Sequence, residues 1–483
     1  MSKNFIVGKY ELDDFQMKLL NTDQNSLVIA GAGSGKTLTI LGKINYLIEN
    51  KKCMPEEILV ISFTNASVND IKTKIKKNVN VYTFHKLAIS LLKKANYEYT
   101  LCSSNLLQYI VEEFLKTCDK KYQKTILKFL NISNTYNHFL NSNNYSSFCN
   151  LIITFINLYK TNNLSINNTI NKKFTNLEKQ ILTIIFKIYY NYIIEKQSTQ
   201  KFDFDDLIIY ATKNIKNIKL NYKYIIIDEF QDTSLIRLEL ISEIQRITNS
   251  KIIVVGDDFQ SIYRFSGCNL NIFLNFENLF KNVNKIKLVN TYRNSLELIN
   301  IASSFIQKNP LQIKKNLISN KKCNSPLIFV PFSSGIKTLK KILNYLISIT
   351  NDIMILSRNN KDIYKYIDND FQYNGNIIIY QNINIKYYTV HRSKGLESEY
   401  VIVLNCNNEL LGFPNKIENN ILIEKLLPNN EMKYAEERRL FYVAITRCKE
   451  KTFLMYNKNI PSPFIKEIKK IVKKQLSKIN YFH

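Results

Sequence analysis

The stretch LVIAGAGSGKT, residues 27–37, constrains this chain more than any other feature of its sequence. An apolar run ends in a glycine-rich loop, which is followed by a lysine and a hydroxyl side chain. Such a loop binds phosphate because backbone N–H groups, the lysine and a helix N-terminus all point at one anion. The pattern therefore predicts a strand, a turn and a helix that bind a nucleoside triphosphate. Kinases, switches, transporters and motors share this loop, so other residues must indicate what the hydrolysis drives.

Length and composition restrict the class of protein. A chain of 483 residues is too long for one ordinary core, and roughly two to four domains are expected. Its apolar runs are much shorter than the roughly 20 residues of a membrane-spanning helix, and its first residues lack the apolar centre of a signal peptide. The eight cysteines show no C-x-x-C spacing, which argues against a zinc site and a disulfide framework. We therefore expect a soluble intracellular protein in the cytoplasm, nucleoid-associated if bacterial, with no membrane partner.

The formal net charge of +27 favours a polyanionic partner, because lysine and arginine neutralise phosphates and release counterions. The alternative is a compositional bias toward lysine, asparagine and isoleucine, as an AT-rich genome would produce, in which case the charge indicates nothing about nucleic acid. That bias makes the nine arginines informative, since lysine was available as a replacement. Seven of them lie in motif-like stretches: Arg264, Arg293, Arg358, Arg392, Arg438, Arg439 and Arg447. These are candidate phosphate contacts, although chance and ordinary surface pairs explain some of them equally well.

Short apolar runs alternate with helical patterns in residues 1–92 and again in 201–290, for example in EILVISF and SKIIVVGDD. This alternation predicts an α/β domain with a parallel sheet between helices. Between residues 93 and 200 the strand signals vanish, and LLQYIVEEFLK has apolar residues at three- and four-residue spacing, which predicts a helical insertion. A second alternating series with PLIFVPF, DIMILS, KYYTV and EYVIVLN predicts a second α/β domain over residues 291–483.

Two strand ends carry polar residues suited to nucleotide chemistry. In YIIIDEF, Asp228 and Glu229 follow an apolar run, at the edge where α/β sheets bind ligands. Asp228 can organise Mg²⁺ and Glu229 can orient and deprotonate water, whereas the alternative is a solvated acidic pair. In VVGDDFQSIYRFSG, Gln260 can sense the γ-phosphate, and Tyr263 and Phe265 follow on the same segment. Exposed aromatic rings stack on bases, although such a pair is more often part of a core.

Further motifs occur in a fixed order along the chain: DDFQMKLL, the phosphate loop, ILVISFTNASVNDIKTKI, VYTFHKLA, FDFDDLI, IIIDEFQDTS, VVGDDFQSIYRFSG, LVNTYRNSLELIN, DIMILSRNN, YYTVHRSKGLESEYVIVL and EERRLFYVAITRCKE. With these motifs the chain resembles superfamily 1 DNA helicases of the UvrD/Rep type. The stretches GDDFQSIYRFSG and GFPNKIE are most similar to the helicase IV branch. The resemblance covers most of both α/β domains and implies two RecA-like parallel-sheet domains, the first of which carries the helical insertion.

The resemblance also implies the residues of an ATP site. Gln16 should read the adenine edge, Tyr292 should lie against adenine, and Glu397 should contact the ribose. Thr37 and Asp228 should bind the Mg²⁺ cofactor. The residues implied around the phosphates and the attacking water are Gly31, Ala32, Gly33, Ser34, Gly35, Lys36, Glu229, Gln260, Arg293 and Arg447.

For single-stranded DNA, the implied contacts are Phe63, Thr83, His85, Tyr263, Phe265 and His391. The resemblance implies an ATP-dependent helicase or translocase that moves 3′ to 5′ on single-stranded DNA and binds single-strand to duplex junctions, in repair, recombination or replication. One alternative is a DNA-stimulated ATPase that remodels protein–DNA complexes without processive unwinding. Another is an inactive scaffold, which the intact motifs argue against.

The sequence departs from the family pattern at two places. Many members have an arginine directly after GKT that helps to sandwich the adenine, whereas this chain has Leu38. Relatives of the UvrD/Rep type also insert a sizeable helical domain between the counterparts of DIMILSRNN and YYTVHRSKG, where this chain has only residues 361–385. The second insertion is therefore expected to be absent or vestigial. From this we expect a monomer whose duplex unwinding is weak or needs a protein partner.

Overall fold

The computed structural model describes residues 5–166, 169, 173–428 and 432–476. Its strands, numbered in chain order, are β1 (Ile6–Val7), β2 (Tyr10–Glu11), β3 (Asn25–Ile29), β4 (Ile58–Ser62), β5 (Asn80–Thr83), β6 (Thr100–Leu101), β7 (Lys201–Phe202), β8 (Tyr224–Ile227), β9 (Lys251–Gly256), β10 (Val283–Lys287), β11 (Leu327–Phe332), β12 (Ile353–Ser357), β13 (Phe371–Asn374), β14 (Ile377–Tyr380), β15 (Ile383–Thr389), β16 (Ser398–Val403) and β17 (Cys448–Asn457).

The helices alternate with these strands except in one long helical stretch. They are α1 (Asp14–Leu20), α2 (Lys36–Glu49), α3 (Asn65–Ile75), α4 (Phe84–Lys94), α5 (Leu106–Thr117), α6 (Lys120–Phe129), α7 (Tyr136–Leu140), α8 (Asn143–Thr161), α9 (Asn176–Ser198), α10 (Phe204–Asn214), α11 (Leu235–Thr248), α12 (Leu270–Leu274), α13 (Phe276–Leu279), α14 (Leu296–Ile306), α15 (Gly335–Ile347), α16 (Ile421–Glu424), α17 (Ala435–Ile445) and α18 (Pro463–Leu476).

The first sheet contains six parallel strands in the order β10-β3-β9-β8-β4-β5. All residues of β4 and β8 are buried, as expected for a sheet covered by helices on both faces. Successive side chains of β3 enter different cores, with Leu27 and Ile29 on one face and Val28 on the other. Since the strands are parallel, the loops after β3, β8 and β9 meet at one edge of the sheet.

The second sheet has the strand order β11-β17-β16-β12-β15-β14-β13. The first five of these strands are parallel, β14 pairs antiparallel with β15, and β13 pairs antiparallel with β14. The hairpin of β13 and β14 lies within residues 361–385, where the sequence predicted only a remnant of a second inserted domain. Phe371 stacks on Tyr380 across this hairpin, with ring centroids 4.6 Å apart. The remnant therefore extends the sheet edge instead of forming a loop.

Helices α5 to α9 form a separate helical body inserted into the first domain. The chain enters it after β6 and returns at β7, and these two strands pair with each other. The body has its own apolar core, which includes Ile152 and Ile185. At its base, Lys196 Nζ lies 3.0 Å from Asp203 Oδ2 and 2.5 Å from Asp206 Oδ2. These buried ion pairs attach the last helix of the insertion to α10.

A segment between β16 and α17, residues 421–428, packs against the helical insertion, and we call it the docking segment. Four of its apolar side chains belong to the hydrophobic core of the insertion: Leu422, Ile423, Leu426 and Leu427. Arg264 binds this segment through Glu424 Oε1 at 2.7 Å and the Pro428 carbonyl at 3.0 Å. The insertion is therefore held by chain segments from both α/β parts of the molecule.

The predicted fold class is confirmed, with two RecA-like parallel-sheet domains, a helical insertion in the first and no second inserted domain between β12 and β15, a stretch that the structure describes throughout. The domain boundaries at residues 92, 200 and 290 stay predictions. In the described part of the chain, no helix combines the length and the apolar character needed to cross a bilayer.

Candidate nucleotide and DNA site

The phosphate loop joins the carboxyl end of β3 to Lys36, the first residue of α2. Gly33 and Gly35 have φ angles of +70° and +75°, a left-handed conformation that favours glycine. A Cβ atom on Gly33 would lie 2.5 Å from the Cβ atom of Arg293, so the close approach of the two domains also requires glycine there. The loop and the first turn of α2 thus have the geometry in which backbone N–H groups bind phosphate.

A cleft of about 360 Å³ opens at this loop. Its walls bring together predicted site residues from separate parts of the chain: Gly33, Ser34, Gly35, Lys36, Thr37, Glu229, Gln260, Tyr292, Arg293, Glu397 and Arg447. Leu38 lines the cleft at the position where many relatives have arginine, and Lys321 and Lys449 line it without having been predicted. Ala32 and Asp228 are adjacent in the chain to the lining residues Gly33 and Glu229, and Gly31 is two residues before Gly33.

Lys36 and Glu229 bind each other within this cleft, with 2.7 Å between Nζ and Oε1. Gln231 Nε2 donates a hydrogen bond to the other carboxylate oxygen of Glu229 at 2.6 Å. Burial alone would raise the pKa of Glu229, but Lys36 and Lys394 lower that pKa well below its usual range. Glu229 is therefore ionised, and a phosphate that enters the loop must compete with it for Lys36.

Asp228 is almost fully buried beside Glu229, and its Oδ1 accepts a hydrogen bond from the Glu229 N–H at 2.9 Å. Burial and the Glu229 charge raise the pKa of Asp228 to about 6. Within the described residues, no group of three or more His, Cys, Asp or Glu side chains could hold a metal ion unaided. The Thr37 hydroxyl and the Asp228 carboxylate still fit Mg²⁺, because this ion prefers oxygen ligands and completes its shell with water and substrate phosphates.

Arg447 is 1% exposed, and its Nη2 donates a hydrogen bond to Gln260 Oε1 at 3.0 Å. Gln260 in turn donates from Nε2 to Asp257 Oδ2 at 2.5 Å. Burial and the neighbouring Arg293 lower the pKa of Arg447 to about 9. Two guanidinium groups so close together favour a polyanion between them, because its charge would offset their mutual repulsion.

Arg293 and Glu397 pair across the cleft wall. Arg293 Nε lies 2.7 Å from Glu397 Oε2, and Lys449 Nζ lies 3.3 Å from Glu397 Oε1. Burial would raise the pKa of Glu397, but Arg293 and then Lys449 lower it. Glu397, predicted to contact the ribose, is thus an ionised acceptor that already has two cationic partners.

Gln16 and Tyr292 lie beside the phosphate loop: a Cβ atom on Gly35 would be 2.8 Å from Gln16 Nε2 and 3.7 Å from the Tyr292 ring. Gln16 is buried, and its Oε1 accepts a hydrogen bond from the Asp13 N–H at 3.0 Å. Its Nε2 is buried and has no hydrogen-bond partner among the described residues. Tyr292 is 50% exposed and donates a hydrogen bond from its hydroxyl to Asp13 Oδ2 at 2.6 Å. One buried donor and one exposed ring are thus available to a nucleobase.

Three of the six predicted DNA contacts form one aromatic cluster. The ring centroids of Tyr263 and Phe265 are 6.2 Å apart, and those of Phe265 and His391 are 5.6 Å apart. The Tyr263 hydroxyl donates a hydrogen bond to the His391 carbonyl at 2.9 Å. Phe265 is 55% exposed. Burial and Arg358 lower the pKa of His391 to about 4, so its ring is neutral at physiological pH.

The other three predicted DNA contacts lie where β4 and β5 end. Phe63 contacts Phe84 edge to face, with ring centroids 5.6 Å apart, and Thr83 caps α4 by accepting a hydrogen bond from the Lys86 N–H. His85 lies against an exposed ring, Phe204, at 5.3 Å. Burial and Arg237 lower the pKa of His85 to about 4. Both predicted histidines are therefore neutral and can lie against bases.

Family comparison matches both α/β parts of the chain. A family model described as the UvrD/REP helicase N-terminal domain matches residues 12–281, which is more than half of the chain. The chain belongs to the UvrD/Rep helicase family. A second family model, the UvrD-like helicase C-terminal domain, matches residues 374–459. The family predicted from the sequence motifs is thus confirmed.

Individual relatives of this UvrD/Rep family member cover different shares of its length. DNA helicase IV of Escherichia coli K12 is 25% identical over 478 residues, which span 94% of this chain and 69% of the relative. A probable DNA helicase II homolog of Mycoplasma capricolum is 32% identical over 72% of this chain and 49% of its own length. The ATP-dependent DNA helicase Rep of Buchnera aphidicola from Schizaphis graminum is 29% identical over 68% of this chain and 49% of its own. The chain thus spans about half the length of two of these relatives.

Lys394 contacts residues of the UvrD/Rep cleft and was not singled out in the sequence analysis. It forms an ion pair with Asp232 and donates a hydrogen bond to the Gln260 carbonyl at 2.8 Å, and its Nζ lies 3.7 Å from Glu229 Oε2. It lies three residues after His391 in the motif YYTVHRSKGLE. The signal was present in that motif, but only the histidine and the glutamate had been assigned roles.

Lys315 is a second residue that the sequence analysis missed. Its Nζ donates to the Ala30 carbonyl at 2.7 Å and lies 2.5 Å from Asp257 Oδ1 and 2.6 Å from Asp258 Oδ1. All three charged groups are buried. Lys315 therefore ties the segment after α14 to the ends of β3 and β9. Nothing in the sequence distinguishes it from the many other lysines.

Proposed function

We propose that this chain is an ATP-dependent DNA helicase or translocase that moves on single-stranded DNA, in the 3′ to 5′ direction that the family resemblance implies. One observation carries the proposal: the cleft joins Lys36 and Glu229 of the first α/β part to Arg293 and Arg447 of the second. Such an arrangement makes hydrolysis depend on how closely the two parts approach, because arginines stabilise the transferring phosphoryl group only when they are in place.

The reaction begins when a phosphate displaces Glu229 from Lys36. Lys36 then binds the β- and γ-phosphates, and the freed Glu229 carboxylate accepts a proton from the attacking water. Thr37 and Asp228 would hold Mg²⁺, and this ion would supply positive charge to the phosphate oxygens. Arg293 and Arg447 stabilise the negative charge that develops on the γ-phosphoryl group.

The aromatic cluster of Tyr263, Phe265 and His391 is connected to the phosphate-binding residues by short chain segments. Gln260 is three residues from Tyr263, and Lys394 is three residues from His391. A shift of Gln260 or Lys394 upon phosphate binding would therefore move the aromatic rings against which bases stack. Repeated closing and opening would pass the strand across the rings in steps.

A second candidate function is a DNA-stimulated ATPase that remodels protein–DNA complexes without processive unwinding. The hairpin of β13 and β14 favours it, because this hairpin stands where UvrD/Rep relatives are expected to have an inserted domain. We propose a monomer that acts in DNA repair, recombination or replication inside the cell, with a protein partner for unwinding. A strand-displacement assay on a tailed duplex separates the two functions.

The test compares ATP hydrolysis without nucleic acid and with single-stranded DNA, single-stranded RNA or duplex. We expect strong stimulation by single-stranded DNA. Lys36→Ala should abolish turnover, and Glu229→Gln should stop hydrolysis while ATP still binds, since only the proton acceptor is lost. Lys74→Ala and Glu277→Gln remove exposed charges and serve as controls. Equal rates with and without DNA, or near wild-type turnover by Glu229→Gln, would contradict the proposal.

A further inference from the structure

Asp13 connects two parts of the cleft that are far apart in sequence. Its Oδ1 accepts a hydrogen bond from the Gln16 N–H at 2.8 Å, which caps the N-terminus of α1. Its Oδ2 accepts two further hydrogen bonds, from the Tyr292 hydroxyl at 2.6 Å and from Asn290 Nδ2 at 2.9 Å. One carboxylate thus holds α1 of the first domain and the chain segment that leads from β10 into the second.

The same capping arrangement fixes the orientation of the Gln16 amide. Because Gln16 Oε1 accepts from the Asp13 N–H, its Nε2 must lie on the opposite side of the amide group. There it lies against the phosphate loop, only 2.8 Å from the position that a Cβ atom on Gly35 would occupy. This Nε2 has no hydrogen-bond partner among the described residues. A buried donor without a partner is costly, and a base acceptor would remove that cost.

The Tyr292 ring is fixed by the other oxygen of Asp13. The ring lines the cleft and is half exposed, so it can stack on a base. Burial and the hydrogen bond to Asp13 raise the pKa of Tyr292, which keeps its hydroxyl protonated as a donor. Leu38, which also lines the cleft, supplies no cation at this end. Base selection therefore depends on the Gln16 amide and the Tyr292 ring being held in fixed positions relative to each other.

We propose that Asp13 is a positioning residue that sets nucleobase selectivity by holding the Gln16 amide and the Tyr292 ring together. This inference rests on the proposed function, since it concerns the base end of the same nucleotide site. Asp13 is not among the residues that line the cleft, and its carboxylate bonds the Gln16 N–H, Tyr292 and Asn290. The carboxylate therefore acts on base binding and not on the rate of phosphoryl transfer.

Two substitutions remove the hydrogen bond between the Tyr292 hydroxyl and Asp13 while changing little else in the site. Tyr292→Phe keeps the ring and loses the hydroxyl donor. Asp13→Asn keeps one carbonyl oxygen for the helix cap but replaces the oxygen that accepts from Tyr292 and Asn290. Asp14→Asn changes the exposed neighbouring carboxylate and is the matched control. Circular dichroism and the midpoint of thermal unfolding establish that each variant is folded before it is assayed.

The assay measures kcat and KM for ATP and GTP and the inhibition constant of inorganic tripolyphosphate, which has no base. For Tyr292→Phe and Asp13→Asn we expect KM for ATP to rise about tenfold, as for the loss of one hydrogen bond to a charged group, with a smaller change for GTP. Turnover at saturation should change less than about twofold, because the Asp13 carboxylate bonds Gln16, Tyr292 and Asn290 and not the side chains that act on the phosphates. The inhibition constant of tripolyphosphate should not change. The double variant should be no worse than either single variant, because both remove the same contact.

An unchanged ratio of KM for GTP to KM for ATP would overturn the inference, and so would an equal weakening of tripolyphosphate and ATP binding. Additive effects in the double variant, or the same effect from Asp14→Asn, would also overturn it. All measurements are made at one fixed concentration of single-stranded DNA and repeated without it. Loss of DNA stimulation in the wild-type chain would contradict the proposed function alone. Unaltered base selectivity in the variants would contradict the role of Asp13 alone.

Discussion

Replacing Lys315 by methionine should destabilise the fold severely, because it removes the cation from a buried cluster of charges. Lys315 Nζ lies 2.5 Å from Asp257 Oδ1 and 2.6 Å from Asp258 Oδ1, and the two carboxylates are fully buried. Removing one partner of such a buried pair leaves an uncompensated charge, which costs about 3–5 kcal/mol. Methionine fills most of the space of the lysine stem, so charge accounts for most of the loss.

The effect of Lys315→Met should depend on pH. Burial raises the pKa of Asp258, and Lys315 partly opposes this rise. Without Lys315 the folded-state pKa rises further above its unfolded value of about 3.9. A carboxyl group with a raised folded-state pKa binds its proton more tightly in the folded state, so its ionisation opposes folding. The loss in stability should thus be full at a pH above the raised pKa and should shrink as the pH falls through it.

The measurement is urea unfolding followed by circular dichroism at pH 8 and pH 5. Lys314→Met is the matched control, because Lys314 is the exposed neighbour in the same segment. We expect a large fall in the unfolding midpoint for Lys315→Met at pH 8, a smaller fall at pH 5 and little change for the control. Equal midpoints for the two variants, or a larger loss at pH 5 than at pH 8, would refute the reasoning.

Two further predictions concern single side chains. Arg447→Lys keeps a charge but loses the planar fork, so turnover should fall on the order of 10³-fold with little change in KM for ATP. Full activity would mean that Arg447 makes no contact with the transition state. Arg246→Lys is the exposed control. Leu422→Ala removes a fully buried side chain of the docking segment from the core of the insertion, which should cost about 2–5 kcal/mol. Limited proteolysis should then cut residues 421–428 faster, whereas the exposed Leu410→Ala should leave the cutting rate unchanged.

Sequence patterns predicted the strands that are short, continuous apolar runs, including the edge strand β11. β4 and β8 are continuous apolar runs because helices cover both faces of a parallel sheet. β17 was missed because three charged residues in a row, Lys449, Glu450 and Lys451, stand near its start and interrupt the apolar pattern. The hairpin of β13 and β14 was missed because its strands are short and belong to a segment interpreted as a deletion remnant.

Site residues could be predicted where the residues that act together are neighbours in the chain. The phosphate loop and Asp228–Glu229 could be identified from the residues themselves, whereas the placement of Arg293, Arg447 and Tyr292 came from the family resemblance. Contacts between distant segments were not predictable. Asp13 meets Tyr292 across 279 residues, and the docking segment enters the core of a helical body that begins about 300 residues earlier in the chain. No local pattern encodes such pairings, because each depends on the completed fold.

The last prediction concerns duplex separation and begins with how the insertion is held. Arg264 joins the docking segment, whose leucines lie in the core of the insertion, to a chain segment that carries Tyr263 and Phe265. Movement of bases across these rings would therefore be transmitted to the insertion. Between β12 and β15, where UvrD/Rep relatives are expected to have a second inserted domain, this chain has only the hairpin of β13 and β14. The helical insertion is thus the main described element that could contact a duplex.

From this we expect translocation on bare single strands to survive in an isolated monomer, because the cleft, the arginines and the aromatic cluster are all present. Separation of a duplex should be weak, because no second inserted domain is available between β12 and β15, all of which is described, to grip or restrain the strands ahead. The measurement compares single-turnover unwinding of a 3′-tailed duplex with translocation on the bare strand at increasing protein concentration. Unwinding should rise with concentration or with an added partner protein while translocation does not. Robust, processive unwinding by the monomer would show instead that the docked helical insertion suffices to hold the duplex.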